Sequence, residues 1–162
     1  MTKVINPLKP IYNENSKVLI LGSLPSVTSR KLNFYYSHHQ NRFWRILESV
    51  FNEKMKDKKE FLLRNNIAMW DPIKSCEIKA SSDASIKNIA VNDINSIVKK
   101  SNIKHIICAG SKSYEIYNKY LYKKVKIKAI KLPSTSGANA KFSLEDLIEE
   151  YKIIKEVLNQ KN

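Results

Sequence analysis

Cysteine, glycine and acidic residues are all scarce in this chain of 162 residues. Its two cysteines, Cys76 and Cys108, are too few for a disulfide-stabilised scaffold and cannot supply the four thiolates of an iron–sulfur cluster. Cys108 lies within an apolar run, which is typical of a buried core thiol. No apolar run reaches the length of a transmembrane helix, and the amino terminus lacks the apolar segment of a signal peptide. We therefore expect a cytoplasmic protein.

The shortage of acidic residues leaves a strongly basic chain. Lysine and arginine number 29 against 15 aspartates and glutamates, which gives a net charge of +14. A field of this sign attracts polyanions, of which nucleic acid is the usual partner. Because the lysines are dispersed, a solvated lysine-rich surface explains the charge as well. Hydrophobic residues make up 43% of the chain, enough for a globular core, and we expect one domain over residues 1–162.

Short apolar runs indicate the strands. The runs at 18–21, 67–70 and 106–109 are apolar throughout, as in strands of a parallel sheet that are buried on both faces. A fourth run, from Val125 to Leu132, alternates with lysine and predicts an edge strand with one polar face.

Helical patterns fill the intervals between these runs. Apolar residues recur at helical spacing over 43–50 and 144–158. Asp93, Ser111 and Ser143 are expected to cap the amino ends of three helices, and Ser143 opens a sequence typical of a capping box. Strands that alternate with helices predict an α/β fold, a three-layer α/β/α sandwich around a mostly parallel four-stranded sheet.

Two segments of unusual composition follow predicted strands, where ligands of open α/β sheets bind. The first begins with residues 22–26 and continues into 34–44, whose aromatic rings and polar groups suit stacking on, and hydrogen bonding to, a nucleobase. The second, residues 132–139, is rich in small hydroxyl side chains, which bind phosphate together with backbone N–H groups. The three glycines of the chain all lie in loops at this rim, where close backbone approach is useful.

These segments, together with residues 67–76, resemble the uracil-DNA glycosylase superfamily and, within it, the DNA-deoxyinosine (hypoxanthine-DNA) glycosylase family. That family shows a Gly-Ser-Leu-Pro-Gly motif, a Tyr-Tyr-Ala-His-Pro-x-Asn-x-Phe-Trp motif and a Leu-Pro-Ser-Thr-Ser-Pro-Ala loop. Here they stand at 22–26, 35–44 and 132–138. The resemblance covers nearly the whole chain and implies a uracil-DNA glycosylase-like fold that works without a cofactor, metal ion or iron–sulfur cluster.

The resemblance implies a catalytic role for Asn41. Leu24 occupies the position where most relatives carry an aspartate or asparagine that positions water, and a leucine cannot do so. An amide is no general base at neutral pH, so Asn41 is expected to orient water and stabilise developing charge. Its position before a helical stripe is also that of an ordinary helix cap, and both roles can hold.

The resemblance also assigns residues to base and DNA binding. The ring of Tyr36 is expected to stack on the extruded base and Asp71 to read its edge, although core packing and an ordinary turn explain these residues as well. The predicted base-binding set is Gly22, Ser23, Leu24, Tyr36, His38, Phe43 and Asp71. The predicted DNA-binding set is Pro25, Ser26, Ser134, Thr135, Ser136, Gly137, Ala138 and Asn139, with the three hydroxyls of 134–136 facing phosphate.

Three departures from the family pattern bear on the loops of the site. Ser26 replaces a glycine, whereas His39 and Gly137 replace prolines, so we expect a more mobile loop around Gly137. That loop also lacks a bulky apolar residue to fill the vacated base stack. No carboxylate or cysteine lies at ligand spacing from His38 and His39, so no metal site is expected, and His38 is expected to form a hydrogen bond within its own motif.

The sequence thus predicts a monofunctional DNA glycosylase that acts as a monomer on DNA containing a deaminated base. It would flip out the base, hypoxanthine first, and hydrolyse its glycosidic bond. A preference for uracil or mismatched thymine stays open, as does a non-catalytic module that binds damaged DNA. A small nucleotide-binding enzyme is disfavoured, because the chain has neither a Gly-x-Gly-x-x-Gly nor a Walker-type loop.

Overall fold

The structure is a computed structural model that describes residues 1–80 and 82–160. Its strands are β1 (Thr2–Ile5), β2 (Val18–Leu21), β3 (Ile67–Trp70), β4 (Ile73–Ile78), β5 (Lys87–Val91), β6 (His105–Ala109) and β7 (Ala129–Leu132). Its helices are α1 (Val27–Leu32), α2 (Phe43–Phe51), α3 (Lys58–Arg64), α4 (Ile94–Lys99), α5 (Ser111–Ile116), α6 (Tyr122–Val125), α7 (Leu144–Tyr151) and α8 (Ile153–Leu158), with a π-helical turn at Tyr117–Leu121 and a 3₁₀ turn at Asp83–Ser85.

A parallel sheet of four strands lies at the centre, in the order β3-β2-β6-β7. Strand β2 is apolar throughout because helices cover both faces of the sheet. Val18 and Ile20 pack in one cluster with α2, α3, α7 and α8, whereas Leu19 and Leu21 pack in another with α4 and α6. The predicted α/β fold with a four-stranded parallel sheet is therefore confirmed.

The edge strand predicted from Val125 to Leu132 is wrong over its first half. Val125 ends α6, and Lys126 closes that helix in the left-handed conformation at φ 65°. Strand β7 begins only at Ala129, after Ile127, whose carbonyl accepts a hydrogen bond from the buried Tyr117 hydroxyl. Apolar residues alternate with lysine here although the segment is a helix end followed by a turn. The helix end and the turn each direct every second side chain into the core, as a strand would.

A second sheet, antiparallel and not predicted from the sequence, has the order β1-β4-β5. The chain passes from β3 to β4 through only Asp71 and Pro72, so the turn that ends one sheet begins the other. The inner face of this sheet packs around Val4, Ile73 and the buried thiol of Cys76. This sheet therefore brings β1 and β5, which lie far apart in sequence, beside the end of β3.

Helix caps agree with the sequence in part. Asp93 caps α4, and Ser143 forms the predicted capping box at the start of α7. Ser111 was expected to cap α5, but Gly110 holds that position at φ 108° and Ser111 is the first helical residue, so that prediction is wrong. The single helical stripe over 144–158 is divided between α7 and α8 at Lys152. Among the described residues, no helix combines the length and apolar character needed to cross a bilayer.

Candidate active site

The carboxyl ends of the parallel strands open into a cleft of about 1090 Å³. The loops after β2 and β7, residues 22–27 and 133–139, form opposite walls, and Asp71 follows the neighbouring strand β3. They meet because all parallel strands end at the same edge of their sheet. Every predicted site residue lines this cleft except Phe43, which is fully buried beneath it.

The side-chain amide of Asn41 is held in one orientation at the cleft wall. Its Oδ1 accepts hydrogen bonds from the backbone N–H of Phe43 at 2.9 Å and from the Thr135 hydroxyl at 2.8 Å. Because a backbone N–H can only donate, these bonds fix which amide atom is oxygen. Within the part of the chain that the structure describes, Nδ2 has no partner, so Asn41 presents a hydrogen-bond donor to the cleft. The helix-start role and exposure to the cleft coexist, although Arg42 holds the cap position itself.

Thr135 has a different place from Ser134 and Ser136. It is 2% exposed and donates its hydroxyl to Asn41, so that hydroxyl acts within the protein and does not face phosphate as expected. Ser134 and Ser136 are half-buried at the cleft rim, where their oxygens accept backbone N–H groups of the same loop. The loop after β7 therefore forms part of the cleft rim and also fixes the orientation of the Asn41 side chain.

Asp71 is a buried carboxyl at the floor of the cleft, with 3% of its surface exposed. Its Oδ2 accepts a hydrogen bond from the Asn6 side chain at 3.0 Å, and its backbone carbonyl accepts one from Asn92 at 2.8 Å. Burial raises the pKa of Asp71 to about 7, and the hydrogen bond from Asn6 opposes that rise only in part. Both charge states of this carboxyl are therefore populated near neutral pH.

Gly22 gives Asp71 the room it occupies. A Cβ at position 22 would lie 2.6 Å from Asp71 Oδ1 and 3.3 Å from the Tyr36 hydroxyl oxygen. The first of these distances is shorter than any normal contact between these atoms, so a larger residue would displace the carboxyl. The glycine that ends β2 is thus required by close approach of side chains across the cleft floor.

Tyr36 lies flat on Phe43, with ring centroids 4.1 Å apart and an angle of 16° between the planes. It adopts the left-handed conformation at φ 50° and lines the cleft. Its hydroxyl is buried without a hydrogen-bond partner in the described residues, and burial raises its pKa well above the ordinary value. Phe43 itself does not reach the cleft, so its part is to support the Tyr36 ring.

Arg42, which the sequence analysis passed over, braces the loop after β7. Its guanidinium donates to the backbone carbonyls of Phe142 at 2.7 Å, Ser136 at 2.8 Å and Asn139 at 3.0 Å. Its own backbone N–H donates to the Thr135 carbonyl at 3.1 Å. The adjacent residues Asn41 and Arg42 thus both connect the start of α2 to the loop after β7.

The remaining predicted residues lie nearby. His38 Nδ1 accepts a hydrogen bond from the Gln40 backbone N–H at 3.1 Å, within its own motif as predicted, and its ring stacks on His39. At Gly137 a Cβ would come within 2.8 Å of the Gln40 carbonyl oxygen, so this glycine allows two loops to touch. No group of three or more histidine, cysteine or carboxylate side chains in the described residues could hold a metal ion.

Charge in the cleft is nearly balanced. Its basic side chains are Arg30, Lys112, Lys131 and Lys141, and its carboxyl groups are Asp71, Asp83 and Glu115. Four basic groups against three carboxyls leave little of the net charge of +14 at this end of the sheet. The lining of the cleft therefore offers shape and hydrogen-bonding groups more than a strong electrostatic field.

Comparisons with known proteins agree with one another. The family model described as Uracil DNA glycosylase superfamily matches residues 9–158. The chain is 37% identical over 139 residues to a protein of Methanosarcina barkeri named Hypoxanthine DNA glycosylase, which covers 80% of this chain and 85% of that protein. A protein of the same name from Methanosarcina acetivorans is 32% identical over 138 residues, 82% of this chain and 87% of that protein.

A solved structure extends this similarity to the fold. It is the solution NMR structure of a protein from Methanosarcina acetivorans that is described as a candidate uracil DNA glycosylase. The two structures align with a TM-score of 0.77 at 28% sequence identity, over 95% of this chain and 99% of the other.

Proposed function

The chain belongs to the uracil DNA glycosylase superfamily, and on that premise we propose that it releases hypoxanthine from DNA by hydrolysing the glycosidic bond of a flipped deoxyinosine. The observation that carries the proposal is the meeting of an aromatic ring, a buried carboxyl and a fixed amide donor in one cleft. Two relatives named Hypoxanthine DNA glycosylase support the choice of base. We further propose one catalytic domain over residues 1–162, which acts in the cytoplasm as a monomer without a metal ion or cofactor.

Base recognition begins with Tyr36 and Asp71. Phe43 supports one face of the Tyr36 ring, so the ring can serve as a rigid platform for a flipped base. Deaminated bases such as hypoxanthine and uracil carry a ring N–H beside a carbonyl, and ionised Asp71 would accept that N–H. Adenine has a lone pair at the corresponding nitrogen, which would meet the carboxylate as a second acceptor. A buried acceptor of this kind rejects a base that leaves it unpaired.

Bond cleavage would rely on the Asn41 amide. Because Oδ1 already accepts two hydrogen bonds, Nδ2 is the atom that would meet the reacting groups. A donor there holds water by one lone pair and leaves the other for attack at C1′, or it stabilises the charge on the departing base. Asn41 would therefore position water and stabilise charge without taking a proton; the proton that water loses on attack would pass to the departing base anion, which leaves as the neutral base.

DNA would lie along the cleft rim. Pro25 and Ser26 on one wall and Ser134, Ser136, Gly137, Ala138 and Asn139 on the other are the proposed contacts. Arg42 shapes the second wall by donating to the carbonyls of Ser136 and Asn139 within it and of Phe142 just beyond it. Since hydroxyls and backbone N–H groups bind phosphate without reading sequence, these contacts fix the strand while Tyr36 and Asp71 select the base.

The test is base release in EDTA from duplexes that carry one deoxyinosine, one uracil or one mismatched thymine, followed by alkaline cleavage of abasic sites. Release from deoxyinosine should be lost in Asn41→Ala and kept in Asn118→Ala, which changes an exposed asparagine outside the cleft. Release mainly from uracil or thymine would overturn the substrate and retain the chemistry. Binding to every damaged duplex without release would overturn the enzyme and favour a damage-binding module.

A further inference from the structure

Lysines precede the strands at the end of the parallel sheet opposite the cleft. Lys17 stands before β2, Lys104 before β6 and Lys128 before β7. Val18 pairs with His105 in register, and the Lys104 N–H donates to the Lys17 carbonyl at 3.0 Å. Neighbouring strands run about 4.8 Å apart, so these lysines start three adjacent strands within a short distance of one another.

Helix ends bring further lysines to the same place. Lys99 ends α4 and Lys100 caps it, whereas Lys123 and Lys124 lie in α6, which Lys126 closes. The two helices share one core cluster on one face of the sheet and contact each other. We call the full set the amino-end cluster: Lys17, Lys99, Lys100, Lys104, Lys123, Lys124, Lys126 and Lys128.

Acidic residues are scarce in the part of the sequence that supplies most of this cluster. Glu115 is the single acidic residue between Ile94 and Leu144, and it lines the cleft at the other end of the sheet. Across residues 1–80 and 82–160, no lysine of the cluster has a carboxylate within 4.0 Å. All of them are exposed except Lys17, which is half-buried. Like charges this close repel each other over a Debye length of about 8 Å at physiological salt.

Helix dipoles explain only part of this arrangement. A lysine at a helix carboxyl end is stabilised by the carbonyls there, which accounts for those of α4 and α6. Lys17, Lys104 and Lys128 precede strands and receive no such stabilisation. The cluster therefore places positive charge beyond what the local structure favours, which is the expected footprint of a surface that binds a polyanion.

We propose that the amino-end cluster is a second DNA-binding surface, which holds another duplex segment by its phosphates while the cleft engages a base. The choice of DNA rests on the superfamily and not on the preferred base. Flexible ammonium groups suit the evenly charged phosphate backbone of a duplex. The strands place roughly 15 Å between the two ends, so a straight duplex in the cleft does not reach the cluster.

The test uses two variants with matched charge. One carries Lys99→Gln, Lys100→Gln, Lys123→Gln and Lys124→Gln; the control carries Lys54→Gln, Lys56→Gln, Lys74→Gln and Lys87→Gln. Each removes four charges, from +14 to +10, and all eight positions are exposed and outside the cleft. An undamaged duplex on beads is mixed with protein and a second, fluorescent duplex, and the fluorescence that stays on the beads measures bridging. Base release plays no part, so the result stands whether or not hypoxanthine is the substrate.

Wild type and control should capture the second duplex, and the cluster variant should capture at least about tenfold less of it. Its salt dependence should flatten by about 0.9 in log–log slope for each lysine that contacts phosphate. Equal loss in both variants, or no capture by wild type, would overturn the proposal. Retained capture by the cluster variant would overturn it too, because bridging would then come from two clefts in a dimer. Cluster-dependent binding to phosphatidylserine vesicles without bridging would assign the surface to membranes instead.

Discussion

At one end of the parallel sheet, β2, β6 and β7 are followed by glycine or proline; at the other end the same strands are preceded by lysine. The first end is nearly neutral and its groups are fixed by short hydrogen bonds, as Asn41 and Arg42 show. The second end is strongly basic, and its lysines, all exposed except the half-buried Lys17, form no ion pair within the described residues.

This difference separates two ways of binding DNA. Selection of one base, as proposed for the cleft, requires donors and acceptors held within fractions of an ångström. The cleft floor is closely packed around Gly22 and Asp71, as such a role requires. Non-specific attraction requires only charge, which the amino-end cluster supplies with flexible lysines. Net charge therefore indicates a polyanion partner without locating the active site. Single substitutions should be costly at the first end and cheap at the second.

After the loss of release expected in Asn41→Ala, the largest effect is expected from Gly22→Ala. The added Cβ would lie 2.6 Å from Asp71 Oδ1 and must displace that carboxyl, and a displacement near 1 Å costs about 100-fold in rate. Single-turnover release of hypoxanthine measures the loss. Gly110→Ala is the comparison: its Cβ would meet Ser134 at an ordinary 3.5 Å, but φ of 108° makes the position strained. It should lose less activity and instead lower the free energy of unfolding by about 1–3 kcal/mol.

Arg42→Lys should be the next most costly change. An ammonium group cannot replace the planar guanidinium that donates to Ser136, Asn139 and Phe142. Since hydrogen bonds from charged groups contribute about 1.5–3 kcal/mol, we expect a loss of about 2 kcal/mol in stability and about tenfold in base release. Arg45→Lys, an exposed arginine of the same helix, should change neither. Guanidinium ions added to Arg42→Ala should restore part of the rate of base release. If Arg42→Lys and Arg45→Lys behave alike, Arg42 does not hold the loop after β7 as described.

Asp71 should make stability depend on pH. Its pKa is raised from 3.8 to about 7, so the folded protein binds more protons than the unfolded chain between these values. Stability contributed by Asp71 is therefore lost as pH rises from about 4 to 7, by up to about 1.4 kcal/mol per pH unit. Asp71→Asn removes this dependence, so its melting temperature relative to wild type should climb over that range and level off above pH 7. A constant difference would mean that Asp71 is ionised throughout. Discrimination against adenine should sharpen above pH 7, where the carboxylate form dominates.

The parallel sheet was predictable because burial on both faces leaves an unmistakable pattern in residues 18–21, 67–70 and 106–109. The antiparallel sheet was not, because β4 shifts register twice against β5 and its apolar residues lose strict alternation. The strand predicted at Val125 to Ile127 is wrong for a related reason, because a helix end can bury the same alternate residues as a strand. Local composition therefore predicts strands that are buried evenly along their length. It does not predict strands at places where the chain bends or changes register.

The site shows the same limit. Asn41, Tyr36 and Asp71 could be proposed from sequence because their residue types follow predicted strands in motifs shared with a known family. Asn6 and Asn92 hold Asp71 only because the antiparallel sheet brings them there, and no local pattern distinguishes them from other asparagines. Arg42 is one basic residue among 29, so its three carbonyl partners were visible only in three dimensions. Residues proposed to contact the base are therefore predicted from sequence more easily than residues that hold them in place.

The smallest effect, and the most pointed, is expected from Tyr36→Phe. The Tyr36 hydroxyl is buried without a partner in the described residues, so removing it relieves a desolvation cost and should raise the free energy of unfolding by about 1 kcal/mol. Tyr151→Phe is the matched control, because that hydroxyl donates to the Pro133 carbonyl at 2.6 Å and its loss should destabilise the protein by about 1 kcal/mol. Thermal melting gives both signs. Hypoxanthine release by Tyr36→Phe should stay within about twofold of wild type, since phenylalanine retains the stacking face. A large fall in release at raised stability would show that the hydroxyl turns toward the base once it is bound, and the cleft would then read the base with Tyr36 as well as Asp71.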